Sequence, residues 1–162
     1  MEKELLSEHL SVKEYEFSPT ATRHGVSNKM IPEHKKNAIA LAVNIFEPIR
    51  EHRKAPIRPS SGYRSLELNK RIGGSESSQH MRGEAIDLPL TNDEAKWIID
   101  NLTFDQLIFE FPDDDGDAQW IHVSYTTHKT NRKQVLISIK DEDGNTDYLA
   151  FNANIHLLSF TK

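Results

Sequence analysis

Two histidines and one aspartate in this chain have the types and spacing to hold a metal ion. Six residues separate His80 from Asp87, with Gly83 and Ala85 among them, and a later segment, WIHVSY (residues 120–125), carries His122. Catalytic zinc takes three protein ligands from His, Asp or Glu and keeps a fourth position for water. Two imidazoles and one carboxylate leave such an ion with a net positive charge, which polarises a carbonyl and lowers the pKa of water. Gly83 and Ala85 let the backbone turn tightly between the first two ligands. The plainer assignment is an exposed loop histidine at His80 and a hydrogen-bonded sheet histidine at His122. Spacing by itself leaves both assignments open.

Composition narrows the chemistry. There is no cysteine, so a thiolate metal site, a disulfide framework and a thiol nucleophile are all excluded. Any zinc must be held by nitrogen and oxygen, from among eight histidines and the carboxylates. A net charge of −5 argues against general nucleic-acid binding, which needs Lys and Arg to displace counterions from phosphates. A chain of 162 residues fits one domain, expected over residues 1–162. The N-terminus, MEKELLSEHLSVKEY, has no apolar core of signal-peptide length, and no stretch approaches the roughly 20 apolar residues that span a bilayer. The expectation is a protein made soluble in a bacterial cytoplasm, without membrane insertion.

The elements that would position these residues are read as follows. A short helix is predicted within residues 4–10, and Ser18 or Thr20 can cap a turn near Pro19. A helix is expected over residues 32–50, opened by Pro32, with Ala38, Leu41, Ala42, Ile45 and Ile49 on one apolar stripe. Pro48 predicts a kink or an early end. Residues 56–61 read as extended, and Ser65 can cap a helix over residues 66–72, which Gly73 and Gly74 break. Residues 85–90 read as a buried strand, and Thr91 with Glu94 has capping-box spacing ahead of a helix through Leu102. Strands are predicted at residues 106–111 and 119–125; alternation sets Gln106, Ile108 and Glu110 on one face of the first, and Trp120, His122 and Ser124 on one face of the second. Between them, PDDDGD (residues 112–117) reads as a solvated loop. A last hairpin pairs residues 135–140 with 147–151 around Asp143-Gly144, a turn rather than a calcium loop. One α+β domain with a small antiparallel sheet and flanking helices is the economical fold class.

The motifs add a family resemblance. SGYRS, then N-x-x-x-GGS-x-x-S-x-H-x-x-G-x-A-x-D, and later W-x-H-V-S resemble the zinc peptidoglycan peptidases. These comprise D-Ala-D-Ala carboxypeptidases, D-Ala-D-Ala dipeptidases and the L-alanyl-D-glutamate endopeptidases of bacteriophage lysins, whose fold also underlies the hedgehog signalling domain. The likeness runs over most of residues 31–124 and is strongest to short phage and prophage members. It implies that His80, Asp87 and His122 are the ligands of Zn2+. It also implies that Arg64 stabilises charge on the attacked carbonyl and that Ser78 bonds substrate backbone or carboxylate. The implied substrate is a peptidoglycan stem peptide, cut by carboxypeptidase or endopeptidase action. The protein would reach the wall after release from the cell or as part of a virion, with other virion proteins as partners.

One departure stands out. Many relatives carry a glutamate three residues before the second histidine as general base, and this chain has Gln119, which cannot accept a proton. Two carboxylates can replace it: Glu110, by alternation on the face of His122, and Asp117, just ahead of Gln119. Gln119 also motivates a different reading, a virion or prophage structural protein that keeps fold and metal without catalysis. A zinc-free cell-wall binding module is the third class.

Overall fold

Residues 3–151 are described by a computed structural model, so the single-domain expectation over 1–162 extends beyond the described residues at both ends. Strands β1 (Leu5–Ser7) and β2 (Leu10–Ser11) form a small antiparallel ribbon, followed by helices α1 (Val12–Glu16) and α2 (Pro19–His24). The short helix predicted within residues 4–10 is therefore a ribbon, and helix begins only at Val12. The cause is local: Ser11 and Glu14 form a reciprocal capping box, which fixes the helix start after the ribbon. Ser18 caps α2 through the Ala21 N–H at 3.2 Å.

The long helix begins at Pro32 as expected, but Pro48 neither ends nor breaks it. Helix α3 (Pro32–Leu41) passes into a π-helical segment (Ala42–Phe46) and continues as α4 (Glu47–Arg53). The Glu47 N–H reaches back to the Ala42 carbonyl, so the widened turn lies just ahead of the proline and accommodates its ring and missing N–H. Ser65 caps α5 (Leu66–Arg71), and the Thr91–Glu94 capping box opens α6 (Asn92–Asn101).

Strands β3 (Ala85–Leu88), β4 (Gln106–Glu110), β5 (Trp120–Ser124), β6 (Gln134–Lys140) and β7 (Thr146–Ala150) make one sheet in the order β3-β5-β4-β6-β7. Every pairing is antiparallel except β4 with β6, which run parallel, so the larger sheet is mixed. Its two faces differ in chemistry. Ile86, Leu88, Leu107, Phe109, Ile121, Val123 and Ile137 are buried in one core with Leu41, Ile45, Phe46 and Ile49 of the long helix and Ala95 and Ile98 of α6. The alternate residues of the same strands, Asp87, His122, Glu110 and Ser138, project from the opposite face. The helices thus cover one face and leave the other to the polar groups. Among the described residues, no helix is long and apolar enough to cross a membrane.

Candidate metal centre

Asp87 and His122 are directly opposed on the antiparallel pair β3 and β5, so their side chains leave the same face side by side. The Asp87 backbone is fixed on its other edge by residues 60–61, through Ser60 N–H to the Asp87 carbonyl and Asp87 N–H to the Ser61 carbonyl, both 2.8 Å. His80 arrives from a 3₁₀ turn (Gln79–Arg82) that closes on Gly83. Gly83 has φ +73°, and a Cβ there would sit 2.4 Å from the His34 carbonyl oxygen, so the turn both needs the left-handed conformation and presses against α3.

The SGYR segment holds this turn from both sides. Gly62 offers its carbonyl to His80 Nδ1 at 2.6 Å, and the Arg64 N–H donates to the His80 carbonyl at 3.2 Å. A carbonyl only accepts, so Nδ1 of His80 carries the proton and Nε2 points its lone pair at the cluster. Only glycine fits at position 62, because a Cβ would lie 2.2 Å from the Tyr15 carbonyl oxygen. Tyr15 itself is fully buried and ties α1 to β3 by donating its hydroxyl to the Ala85 carbonyl at 2.8 Å. Asn28 clasps the same segment, donating to the Glu16 and Tyr63 carbonyls and accepting from the Ser65 N–H.

The result is a near-equilateral triangle of ligand atoms. His80 Nε2 lies 3.2 Å from His122 Nδ1, His122 Nδ1 lies 2.9 Å from Asp87 Oδ1, and Asp87 Oδ1 lies 3.2 Å from His80 Nε2. Two atoms bound to a tetrahedral zinc at about 2.0–2.1 Å are separated by roughly 3.3 Å, so the three atoms fit that geometry. All three residues are buried, and His80, Asp87 and His122 form a group able to hold a metal ion. Their protonation also suits a cation. Burial pushes the His80 imidazole below its ordinary pKa, against the attraction of Asp87, and so favours the neutral ligand form. Burial opposes ionisation of Asp87, but in the acid range where a carboxyl titrates, the charge of a protonated His80 and hydrogen bonds from both rings hold it well below the usual carboxylate range, so it is anionic where His80 is neutral.

The other predicted residues are placed differently from one another. Arg64, partly buried, directs its guanidinium to Asp87 Oδ2 and Ser61 Oγ, each at 3.3 Å, and so borders the triangle. Glu110 is buried on the same face and stands one step diagonal to His122 in the β4–β5 register, a separation of about 7–8 Å that a glutamate side chain can reach across. Burial raises the Glu110 pKa, against a hydrogen bond from Ser138 and the attraction of His122. Ser78 stands half-buried at the entry to the 3₁₀ turn, and its side chain makes no capping bond there. Asp117 is exposed in the loop before β5, where its N–H is taken by Asp113 Oδ1 at 3.0 Å. Gln119 is also exposed, with its backbone N–H donated to the Glu110 carbonyl.

Sequence reasoning missed a supporting ion pair. Asp105, fully buried, receives two hydrogen bonds from the Arg132 guanidinium at 2.9 and 2.8 Å and a third from Gln79 Nε2 at 3.0 Å. It thereby anchors the residue next to His80 to the start of β4. No local pattern marks Arg132, because its partner lies 27 residues away.

A search of curated proteins finds no match. The family model described as Peptidase M15 matches residues 8–124. That span contains the SGYR segment, the 3₁₀ turn, β3, β4 and β5, and hence the whole triangle and Glu110. The chain belongs to the peptidase M15 family.

Proposed function

We propose that this protein is a zinc-dependent peptidase that cleaves peptide bonds in bacterial peptidoglycan stem peptides, as phage or prophage lysins do. The observation that carries the proposal is the triangle of His80 Nε2, Asp87 Oδ1 and His122 Nδ1, with edges of 2.9–3.2 Å. Membership of a family of metal-dependent peptidases supports it.

His80, Asp87 and His122 would hold the ion. Zinc, when bound, supplies Lewis acidity that polarises the scissile carbonyl. The remaining work falls to the chain's own groups. Glu110 takes a proton from the attacking water as the new C–O bond forms, and returns it to the amine nitrogen as the C–N bond breaks. Its burial and raised pKa suit a carboxylate that must both accept and release that proton. Arg64 keeps a fixed positive charge beside the site and offers donors to the oxygen on which negative charge develops. Ser78, half-buried beside the turn, is a donor for substrate backbone or carboxylate. Asp117 remains the second choice of base, from an exposed loop.

Gln119 favours one other reading, a virion or prophage structural protein that keeps the metal and lacks catalysis. The test is release of amino groups from purified peptidoglycan by zinc-loaded protein, with and without a chelator. Chelator-sensitive release supports the peptidase and eliminates the structural reading. Absence of release across several stem-peptide chemistries sinks the peptidase.

A further inference from the structure

The family match ends at Ser124, yet two strands of the same sheet lie beyond it. The parallel register of β4 and β6 sets Ser138 beside Glu110, and the antiparallel register of β6 and β7 sets Tyr148 beside Ser138. Directly paired residues share a sheet face, so Glu110, Ser138 and Tyr148 form one row on the face that carries Asp87 and His122.

The two hairpin residues behave differently in that row. Ser138 is fully buried. Its hydroxyl donates to Glu110 Oε2 and accepts from the Phe111 N–H at 3.1 Å, so one oxygen is fixed from two directions and in turn fixes the carboxyl. A buried hydroxyl in the middle of a sheet is costly unless both its roles are met, and an apolar side chain would fill the position without that requirement. Tyr148 is 55 % exposed. It stands at the outer end of the row, one strand beyond Ser138 and two beyond Glu110, and burial with the nearby charge of Glu110 raises its phenol pKa. An aromatic ring left open to solvent in the same row as Glu110 is available to a ligand, packing with its face and bonding with its hydroxyl.

We infer that the β6–β7 hairpin completes the active site, with Ser138 as a positioning residue that orients the Glu110 carboxyl and Tyr148 as a substrate-contacting residue beside it. The inference rests on the peptidase reading above. The ligand is an extended peptide, whose backbone carbonyls accept from the phenol while its side chains lie against the ring.

The experiment compares zinc-loaded wild type with Ser138→Ala, Ser138→Thr, Tyr148→Phe and Tyr148→Ala. Steady-state hydrolysis of a soluble synthetic stem pentapeptide is measured for each. Calorimetric binding of the same peptide is measured for the two Tyr148 variants in a Glu110→Gln background. Ser138→Ala is expected to lower kcat by about tenfold with little change in KM, and Ser138→Thr, which restores the hydroxyl, to recover most of it. Tyr148→Ala is expected to raise KM and weaken binding about tenfold, with Tyr148→Phe between it and wild type. Tyr148 is exposed, so its variants keep the inference testable even where Ser138→Ala fails to fold. Unchanged kcat in Ser138→Ala overturns the positioning role, and unchanged KM and peptide binding in both Tyr148 variants overturn the contact. A wild-type protein that binds the peptide without cleaving it removes the peptidase reading and, with it, the positioning role of Ser138. The calorimetric arm then decides the role of Tyr148: weaker binding by Tyr148→Ala upholds it and equal binding ends it.

Discussion

Glu110 is a strand-end carboxylate that in most sheets would be solvated, and here it is buried on the face of the ligand triangle. That placement distinguishes it from Asp117, whose surroundings are solvent and the turn that contains it. If Glu110 moves the proton, replacing it by the nearly isosteric amide removes the base and leaves the ligands untouched. Glu110→Gln is therefore expected to lower kcat by about 10²- to 10⁴-fold, with the zinc content unchanged by elemental analysis. Asp117→Asn, at an exposed turn, is expected to stay within about twofold of wild type, as surface substitutions do. Turnover and metal content measured on the same preparations check both. A Glu110→Gln protein of full activity would return the role to Asp117.

At the scale of elements, each ligand is delivered by a different piece of backbone, and the pieces are held by contacts of very different range. The local ones were legible in the sequence: Ser65 and Thr91–Glu94 announce α5 and α6 through side-chain capping, and alternation along β4 places Glu110 on the face of His122. The capping box at Ser11–Glu14 is equally local, and it starts the helix only at Val12, against the helix predicted within residues 4–10. The long-range contacts were not legible. Nothing near residue 138 announces a parallel pairing with β4, and nothing near Arg132 announces Asp105, because both partners are chosen by the closing of the sheet. The Asp105–Arg132 pair makes a test at this scale. Burial opposes the Asp105 charge, but the hydrogen bonds and charge of Arg132 hold its pKa at about 2 in the folded state. A depressed carboxylate pKa stabilises the fold fully above the ordinary carboxylate value, and the contribution is lost as pH falls toward about 2. Arg132 is half exposed, so screening trims the effect to about 1–2 kcal/mol. Asp105→Asn is expected to lose that much stability in urea unfolding at neutral pH, and the gap to wild type should close between about pH 4 and pH 2. A gap independent of pH would mean that the charge of Asp105 is not what stabilises this junction.

The whole molecule places its apolar residues on one face of the sheet and a charged cluster on the other, and that division has an energetic consequence. Asp87 and two imidazoles are packed with their polar atoms 2.9–3.2 Å apart in a buried setting. A metal ion bound by the folded chain joins a 3₁₀ turn, β3 and β5 at one point, and the unfolded chain has no such preformed site. Binding to the native state alone stabilises it by about 2.7 kcal/mol when free metal stands at 100 times its Kd. For a domain of this size each kcal/mol moves the melting temperature by about 2–4 °C, so saturating zinc is expected to raise Tm by about 5–10 °C over the chelator-treated protein. The rise should shrink as the buffer is made acidic, because protons compete with a metal for its ligands, and it should vanish in His122→Ala, which lacks one vertex of the triangle. Thermal melts with chelator, with zinc restored, and with the variant under both conditions supply the comparison. A wild-type melting temperature that ignores zinc would remove the metal from the account of this site, and with it the Lewis acid on which the proposed hydrolysis depends.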